Sequence, residues 1–486
     1  MNRAVRILLL SGALVLVFVL VALLGVATHE GGALQQYQAQ LRAKGEKLSF
    51  AELPCGHHTN AVDTHAVITN AVPKLGDPLI SPGLLELQHY VGPGRAEVNW
   101  AQESPTWSQS PRSASNATWA DIAAHVEARQ STLAEMRQAL RDPAPDAGPC
   151  TNVLTVRRAN FVAIRTAAQW LMGAAESELR QGRREQALED LEALAGLAQM
   201  EREEPTLVAQ MIRVAVAGLG LQATWEALQA PGWTEPQLER LQKAWEPVDL
   251  VQALEIGFVG ERAGGLEIFN QIRHSSGPQI GRLFRPWSSP ASSRLSWRDM
   301  VADYLYLPVY KLAWVSDDEL FYLQTMQEAL TAPRLLKALH PWPEARQATT
   351  KVGARLNAIA SGAGKFRYYV SIMAIPNFTR ANERAAHVET ERQMTLAAIA
   401  LKRYQLRHGR LPTSLDALVP QFLPAAPYDP MSGKSLCYRL KPDGSFLLYS
   451  VGEDGKDDGG DPKPAGGNRY GLWGGRDAVW PMAASE

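Results

Sequence analysis

From Ile7 to Ala27 the chain carries no charged residue. A helix of that length spans roughly 30 Å, the thickness of a bilayer's hydrocarbon core. Arg3 and Arg6 precede the run, and Glu30 is the first charge after it. Basic flanks stay on the cytoplasmic side. The pattern therefore predicts a transmembrane helix within residues 1–28, spanning a bacterial inner membrane once. The N-terminus would be cytoplasmic and the bulk of the chain extracytoplasmic. Gly25-Val26-Ala27 also has the small residues of a cleavage site, but the apolar run exceeds the about 7–15 residues of a signal peptide. Either way the same mass lies outside.

Residues 29–380 follow a helical pattern, read as a large all-α extracytoplasmic domain. A polar helix is expected over His29 to Lys47. The prolines between residues 53 and 118 predict short helices and loops. Ile122, Ala123, Val126, Leu133, Met136 and Leu140 recur near a 3.6-residue period, which predicts one helix over Trp119 to Arg141. Further helices are expected over Val153 to Arg180, Arg184 to Glu203 and Thr206 to Gln229. Thr234 opens another, with Pro236 in the first turn and Gln237 at the capping-box position. Ala175, Leu179, Gly182, Ala187, Leu188, Leu191 and Leu194 resemble one unit of a tetratricopeptide-like hairpin, although a solenoid needs three or more. Ser275 to Trp297, rich in Ser, Pro, Gly and Arg, reads as a long surface loop. Arg298 to Ala332 returns to helix around Pro308, and His340-Pro341-Trp342-Pro343 breaks it.

Ala381 to Arg407 is the cleanest helical pattern, and Gly409 ends it. The grammar then changes. Prolines space short turns, and Leu436 to Leu440 and Phe446 to Ser450 read as two strands joined by Lys441-Pro442-Asp443-Gly444-Ser445. Residues 381–486 thus form a small α+β module. The fold class is mainly α.

Composition narrows the function classes. The chain has 486 residues with Lys+Arg 49 and Asp+Glu 50, a net charge of -1. That balance argues against nucleic acid as a partner, because such binding comes from phosphate neutralisation. In an oxidising compartment Cys55 and Cys150 become candidates for a disulfide. Cys437, in a strand, reads as a small buried hydrophobe.

The last hundred residues carry a resemblance. Leu396-Ala397-Ala398-Ile399-Ala400-Leu401, Tyr404, His408-Gly409-Arg410-Leu411-Pro412, Leu415, Leu418, Leu423, Pro427, Asp429-Pro430 and Gly433 precede the hairpin. Tyr449-Ser450-Val451-Gly452-Glu453-Asp454-Gly455 and an acidic run to Asp461 follow it. In order and spacing this stretch is similar to the globular domain of the type II secretion major pseudopilin, general secretion pathway protein G. That family carries an intramembrane Glu joined directly to the head. Here the apolar run has no Glu and residues 28–380 intervene, so the resemblance implies a shared domain fold and not a filament subunit. The chain as a whole also looks like membrane-anchored bacterial proteins of unknown function.

Asp454, Asp457, Asp458 and Asp461 crowd four carboxylates into a Gly-flexible loop. Such charges repel unless solvated or neutralised, and oxygen-only ligands suit Ca²⁺ better than Zn²⁺. The resemblance implies a structural calcium in this loop, with Asp454, Asp457 and Asp458 as side-chain ligands and Ser450 as a carbonyl ligand. The competing reading is a solvated acidic turn.

Other motifs are weaker. Gly218, Gly220 and Ala223 fit G-x-G-x-x-A, but helical surroundings make the glycines close-packing points and not a dinucleotide turn. Ser361 to Phe366 lacks the first Gly and the Ser/Thr of a phosphate loop. Cys55, His57, His58, Asp63 and His65 could hold zinc, yet no second ligand pair has suitable spacing. Glu261-Arg262 could be a functional pair, a helical salt link being commoner. No nucleophile stands at recognisable spacing from a base, and no catalytic residue is assigned. The pattern predicts an anchored binding or scaffold protein, tied to the membrane through residues 7–27, with protein partners in envelope assembly or secretion. The alternative is an extracytoplasmic hydrolase using scattered groups such as Glu261, Arg262 and the His57/His58 loop.

Overall fold

The computed structural model describes residues 31–53, 63–77, 88–105, 118–141, 143, 160–285, 296–375, 378–464 and 470–484. The apolar run Ile7 to Ala27 and the residues Cys55, His57, His58 and Cys150 lie outside them.

The described chain is mostly helical. Residues 31–43 form α1. It is followed by α2 (Thr64–Leu75), α3 (Trp119–Glu127), α4 (Gln130–Leu140), α5 (Phe161–Arg180), α6 (Arg184–Gln199), α7 (Leu207–Leu228), α8 (Glu235–Trp245) and α9 (Leu250–His274). Then come α10 (Gly277–Phe284), α11 (Trp297–Val301), α12 (Leu307–Ala313), α13 (Val315–Ala329), α14 (Thr331–Lys337), α15 (Trp342–Ala360), α16 (Gly364–Arg367), α17 (Tyr369–Ala374) and α18 (Phe378–His408).

Local chemistry accounts for many boundaries. Thr234 and Gln237 close the expected capping box, with Pro236 in the first turn of α8. The helices α5 and α6 pack antiparallel across a turn where Gly182 adopts φ +74°. Their facing residues Ala175, Leu179, Ala187, Leu188, Leu191 and Leu194 are all buried, as the hairpin pattern requires. α7 is the described helix long and apolar enough to cross a bilayer, but most of its apolar stretch is buried inside the protein. It is a core helix.

Two expectations are corrected. Residues 119–141 form two helices, because α3 packs on α5 whereas α4 packs on α2 and α6. Arg129, at the break, donates from Nε to the Leu75 carbonyl at 2.5 Å. The stretch after Ser275 is not all loop. Ser276 and Gln279 form a capping box and Pro278 occupies the first turn of α10. Gly277 and Gly281 let α10 press on the Asp303 backbone and side chain, where a Cβ would come within 1.8 and 2.0 Å. Glycine and proline, read as loop composition, serve here as a helix start and a close-packing face.

The β elements are short. β1 (Tyr90–Gly92) pairs antiparallel with β2 (Arg95–Ala96), and a two-stranded ribbon joins β3 (Tyr428–Asp429) to β4 (Lys434–Ser435). The strands β5 (Cys437–Leu440) and β6 (Phe446–Ser450) form the expected antiparallel pair, with Leu440 opposite Phe446, and β7 (Ala478–Val479) adds to β6. β8 (Met482–Ala483) pairs in parallel with β2. The C-terminal strand thus returns to a segment far earlier in the chain.

The module boundary expected at residue 380 falls inside α18. This helix packs against α7, α8, α9 and α15, and every residue from Ala385 to Leu401 is buried. Several of its polar groups pair within the core. Arg392 reaches Glu389 at 2.7 Å and the Trp245 carbonyl at 3.1 Å, and Gln393 donates to Glu389 at 2.9 Å. One main core runs from Ile68 to Leu448.

Candidate functional site

Glu383, His387 and Glu391 recur every fourth residue along α18, so they stack on one side of the helix. Trp473 closes over them. Its ring lies flat on His387, with centroids 3.8 Å apart and planes within 7°. Its Nε1 donates to Glu391 Oε1 at 2.8 Å. Held at one face and one edge, the indole forms a partition. On one side is a cleft of about 360 Å³ lined by Tyr90, Leu221, Trp225, Arg384, Met394 and Trp480. On the other is a smaller opening of about 260 Å³ lined by Arg346, Glu453, Asp454 and Arg476. The larger cleft has the size and apolar lining of a small-ligand site.

Residues far apart in sequence build this cleft. Trp225 of α7 donates from Nε1 to the Pro481 carbonyl at 3.0 Å, and the Trp480 backbone N–H donates to the Leu448 carbonyl at 2.9 Å. That second bond fixes the tail on β6, while Met482 N–H donates to the Gly94 carbonyl at 3.0 Å, so the tail roofs the cleft from both sides. Gly218 is placed where a Cβ would sit 3.5 Å from Arg384 Nη2, so α7 offers the guanidinium an open surface. Arg384 is half-buried, lines the cleft and has no hydrogen-bond or ion-pair partner among the described residues. A free cation among aromatic walls is suited to an anionic group on an apolar body.

The acidic loop is organised from outside itself. Asp477, just before β7 and 1% exposed, accepts backbone N–H groups from Asp458 at 3.3 Å, Gly460 at 2.7 Å and Asp461 at 3.0 Å. Burial raises the Asp477 carboxyl above its ordinary range, against the pull of those three bonds. The expected ligands also make local hydrogen bonds. Asp454 accepts from Lys456 N–H at 3.0 Å, and Asp457 from Tyr449 OH and Gly459 N–H, both at 2.9 Å. Asp461 accepts from Lys463 N–H at 3.1 Å and lies 3.4 Å from Arg476. Ser450 is buried and donates to Asp429 at 2.7 Å. Among the described residues no three of these acids bring ligand atoms within 4.8 Å of one another, whereas Glu383, His387 and Glu453 do. The sequence cue to Asp477, which the periodic pattern does not flag, is an acid set directly before the apolar Ala478-Val479.

The remaining candidates among the described residues make contacts within the fold. Asp63 caps α2 by accepting from Ala66 N–H at 2.9 Å, and His65 Nε2 accepts from Asn160 N–H at 3.0 Å. Glu261 and Arg262 are not paired with each other. Glu261 accepts from Leu207 N–H at 3.1 Å, and the fully buried Arg262 holds Glu46 at 2.8 Å and Gln327 at 2.6 Å. Gly218 and Gly220 lie inside α7, so their surroundings are not the strand and turn of a dinucleotide site. Cys437 is a half-buried free thiol, with its pKa raised by burial.

The strongly perturbed carboxylates lie outside the cleft lining. Burial, and then the neighbouring Glu176, push Glu226 well above the usual range. The Asn99 backbone N–H donates to both Glu226 oxygens, at 3.1 and 3.0 Å, and the Asn99 amide bridges to Glu176. Burial likewise raises Asp318 to about 6, opposed by bonds from Ser371 and Tyr310. These acids join packed elements to one another. The chain matches no protein-family model, no curated protein and no solved structure.

Proposed function

We propose that the protein is a membrane-anchored, extracytoplasmic binding protein whose ligand site is the aromatic cleft between α7, α18 and the C-terminal tail. The observation that carries this reading is Arg384, a cation without a partner among the described residues, which lines with Trp225 and Trp480 a cavity of about 360 Å³. The ligand class is a small anion with a planar or apolar body, its charge on Arg384 and its body between the aromatic rings. The cleft's carboxylate, Glu391, already accepts from Trp473, which favours holding a ligand over transforming it.

The apolar run Ile7 to Ala27 supports the anchor, and a role in envelope assembly or secretion follows from that setting. The 381–486 module is read as pseudopilin-like, on the motif order and the β5–β6 hairpin. Calcium in its acidic loop is part of the same reading. The donor set is all oxygen, and Gly455, Gly459 and Gly460 at φ +71°, +78° and +80° let the chain turn tightly there. Asp454, Asp457 and Asp458 would supply carboxylates and Ser450 its carbonyl, and the ion would relieve charge crowding.

The test uses full-length protein in lipid nanodiscs, analysed by native mass spectrometry after incubation with aromatic and aliphatic carboxylates. Retention of one carboxylate per chain by the native protein, lost in Arg384→Ala, supports the reading. No retention, or equal retention by the variant, overturns it.

A further inference from the structure

We infer that Glu383, His387 and Glu453 form a binding site for a zinc-class divalent cation, on the far side of Trp473 from the cleft. Glu383 and His387 are one turn apart on α18, so their side chains leave the same face. Glu453 comes from the turn after β6. Gly452 allows that turn, with φ +76° and a position where a Cβ would fall 2.5 Å from the Arg476 carbonyl oxygen. One ligand atom from each of the three residues lies within 4.8 Å of the other two.

Two further observations point to an occupant. His387 is 6% exposed, and its Nε2 forms an ion pair with Glu453 Oε1 at 3.0 Å that does not meet hydrogen-bond geometry. Glu383 is half-buried and has no hydrogen-bond or ion-pair partner among the described residues. A buried imidazole nitrogen and a spare carboxylate are thus aimed at one point. A cation there would engage the spare carboxylate and sit between His387 and Glu453 in place of their direct contact.

The donor chemistry selects the class of ion. One imidazole nitrogen with two carboxylates suits borderline cations such as Zn²⁺, bound at about 2.0–2.2 Å, whereas Ca²⁺ takes oxygen alone. Two carboxylates match the ion's double charge. Arg346 stands 3.8 Å from Glu453 Oε2 and opposes a further cation, but its half-exposed side chain can swing into solvent. Trp473, stacked on His387, holds the imidazole plane as an outer support for a ligand. Three protein ligands leave a fourth position open toward the opening lined by Arg346 and Arg476.

The site shares Trp473 with the cleft, but its ligands are not those of the cleft or of the acidic loop, and its test reads the metal directly. Full-length protein in nanodiscs, stripped with chelator, is titrated with ZnCl₂ by calorimetry and then examined by zinc-edge X-ray absorption. One zinc per chain is expected, with a single imidazole, oxygen otherwise and no sulfur in the shell. Glu383→Gln, an isosteric change at a half-buried position, and His387→Ala are each expected to weaken binding at least tenfold. Glu383→Gln keeps the test decisive if His387→Ala fails to fold. Absence of zinc binding, undiminished binding by Glu383→Gln, or sulfur in the shell would each overturn the assignment.

Discussion

Gly220 faces Trp245 so closely that a Cβ would come within 2.6 Å of the indole ring and 3.2 Å of Leu194 Cβ. Trp245 is fully buried and tied by its Nε1 to Thr224 at 3.1 Å, so it cannot yield. Gly220→Ala should therefore destabilise the protein by about 1–3 kcal/mol through overpacking. Gly218, two residues away, meets nothing closer than 3.5 Å. Gly218→Ala should be neutral or stabilise by up to about 1 kcal/mol, because alanine restricts the unfolded chain. Urea unfolding of the two variants separates these outcomes, and equal effects would contradict the packing argument.

The Glu176–Glu226 pair makes stability depend on pH in a definite direction. Glu226 titrates near 4.5 when exposed and well above that when folded, so the folded state binds more protons between the two values. Stability then falls as pH rises above about 4.5, and this contribution is gone once pH passes the folded value. Glu226→Gln should flatten that slope. The readout is the difference in unfolding free energy between native protein and variant from mildly acidic to mildly basic pH, and parallel curves would refute the shift.

Glu46 acts with the opposite sign. Burial raises its pKa, but hydrogen bonds from Arg334, Gln327 and Arg262 outweigh burial and leave it at about 2. Its contribution is present above the ordinary value of 4.5 and is lost as pH falls toward 2. The Glu46 carboxylate ties the segment after α1 to α9, α13 and α14. Glu46→Gln should lower stability at neutral pH and remove part of the acid-side decline. Acid titrations followed by circular dichroism would show it, and an unchanged acid limb would count against the network.

The buried Arg137–Asp190 pair, with bonds of 2.7 and 3.0 Å, joins α4 to α6. Asp190→Ala strands a buried guanidinium and should cost about 3–5 kcal/mol. Denaturant unfolding measures this, and a loss below about 1 kcal/mol would mean that the pair is solvated.

The calcium proposal predicts a rise in melting temperature of the full chain with CaCl₂, abolished in the Asp457→Ala, Asp458→Ala double variant. At about a hundredfold excess over Kd the ion should add about 2.7 kcal/mol. Equal melting with and without calcium would remove the ion from the loop.

What could be read from the sequence follows the range of the forces involved. Thr234 with Gln237, the turn at Gly182 and the Leu440–Phe446 end of the hairpin are local, and periodicity with turn chemistry exposes them. The break at Ala128-Arg129 is set by which helices α3 and α4 must each cover, a tertiary demand that a periodic pattern does not carry. Glu389 to Gln393 look like a solvated face, yet they sit in the core because their partners, Trp245 and Trp473, arrive from distant elements. The same reason hid the cleft. Tyr90, Trp225, Arg384 and Trp480 converge only through the parallel pairing of β2 with β8 and the packing of α7 on α18. The acidic loop was legible as charge, but its organiser Asp477 lies beyond it in the chain.

The central claim is that the helical body and its cleft stand outside the membrane on the Ile7 to Ala27 anchor. Protease added to intact spheroplasts tests it most directly, with a cytoplasmic protein as the control for integrity. The account predicts digestion of the body before lysis, with the cytoplasmic control intact. A body that resists protease until detergent is added, and is then degraded, would contradict it.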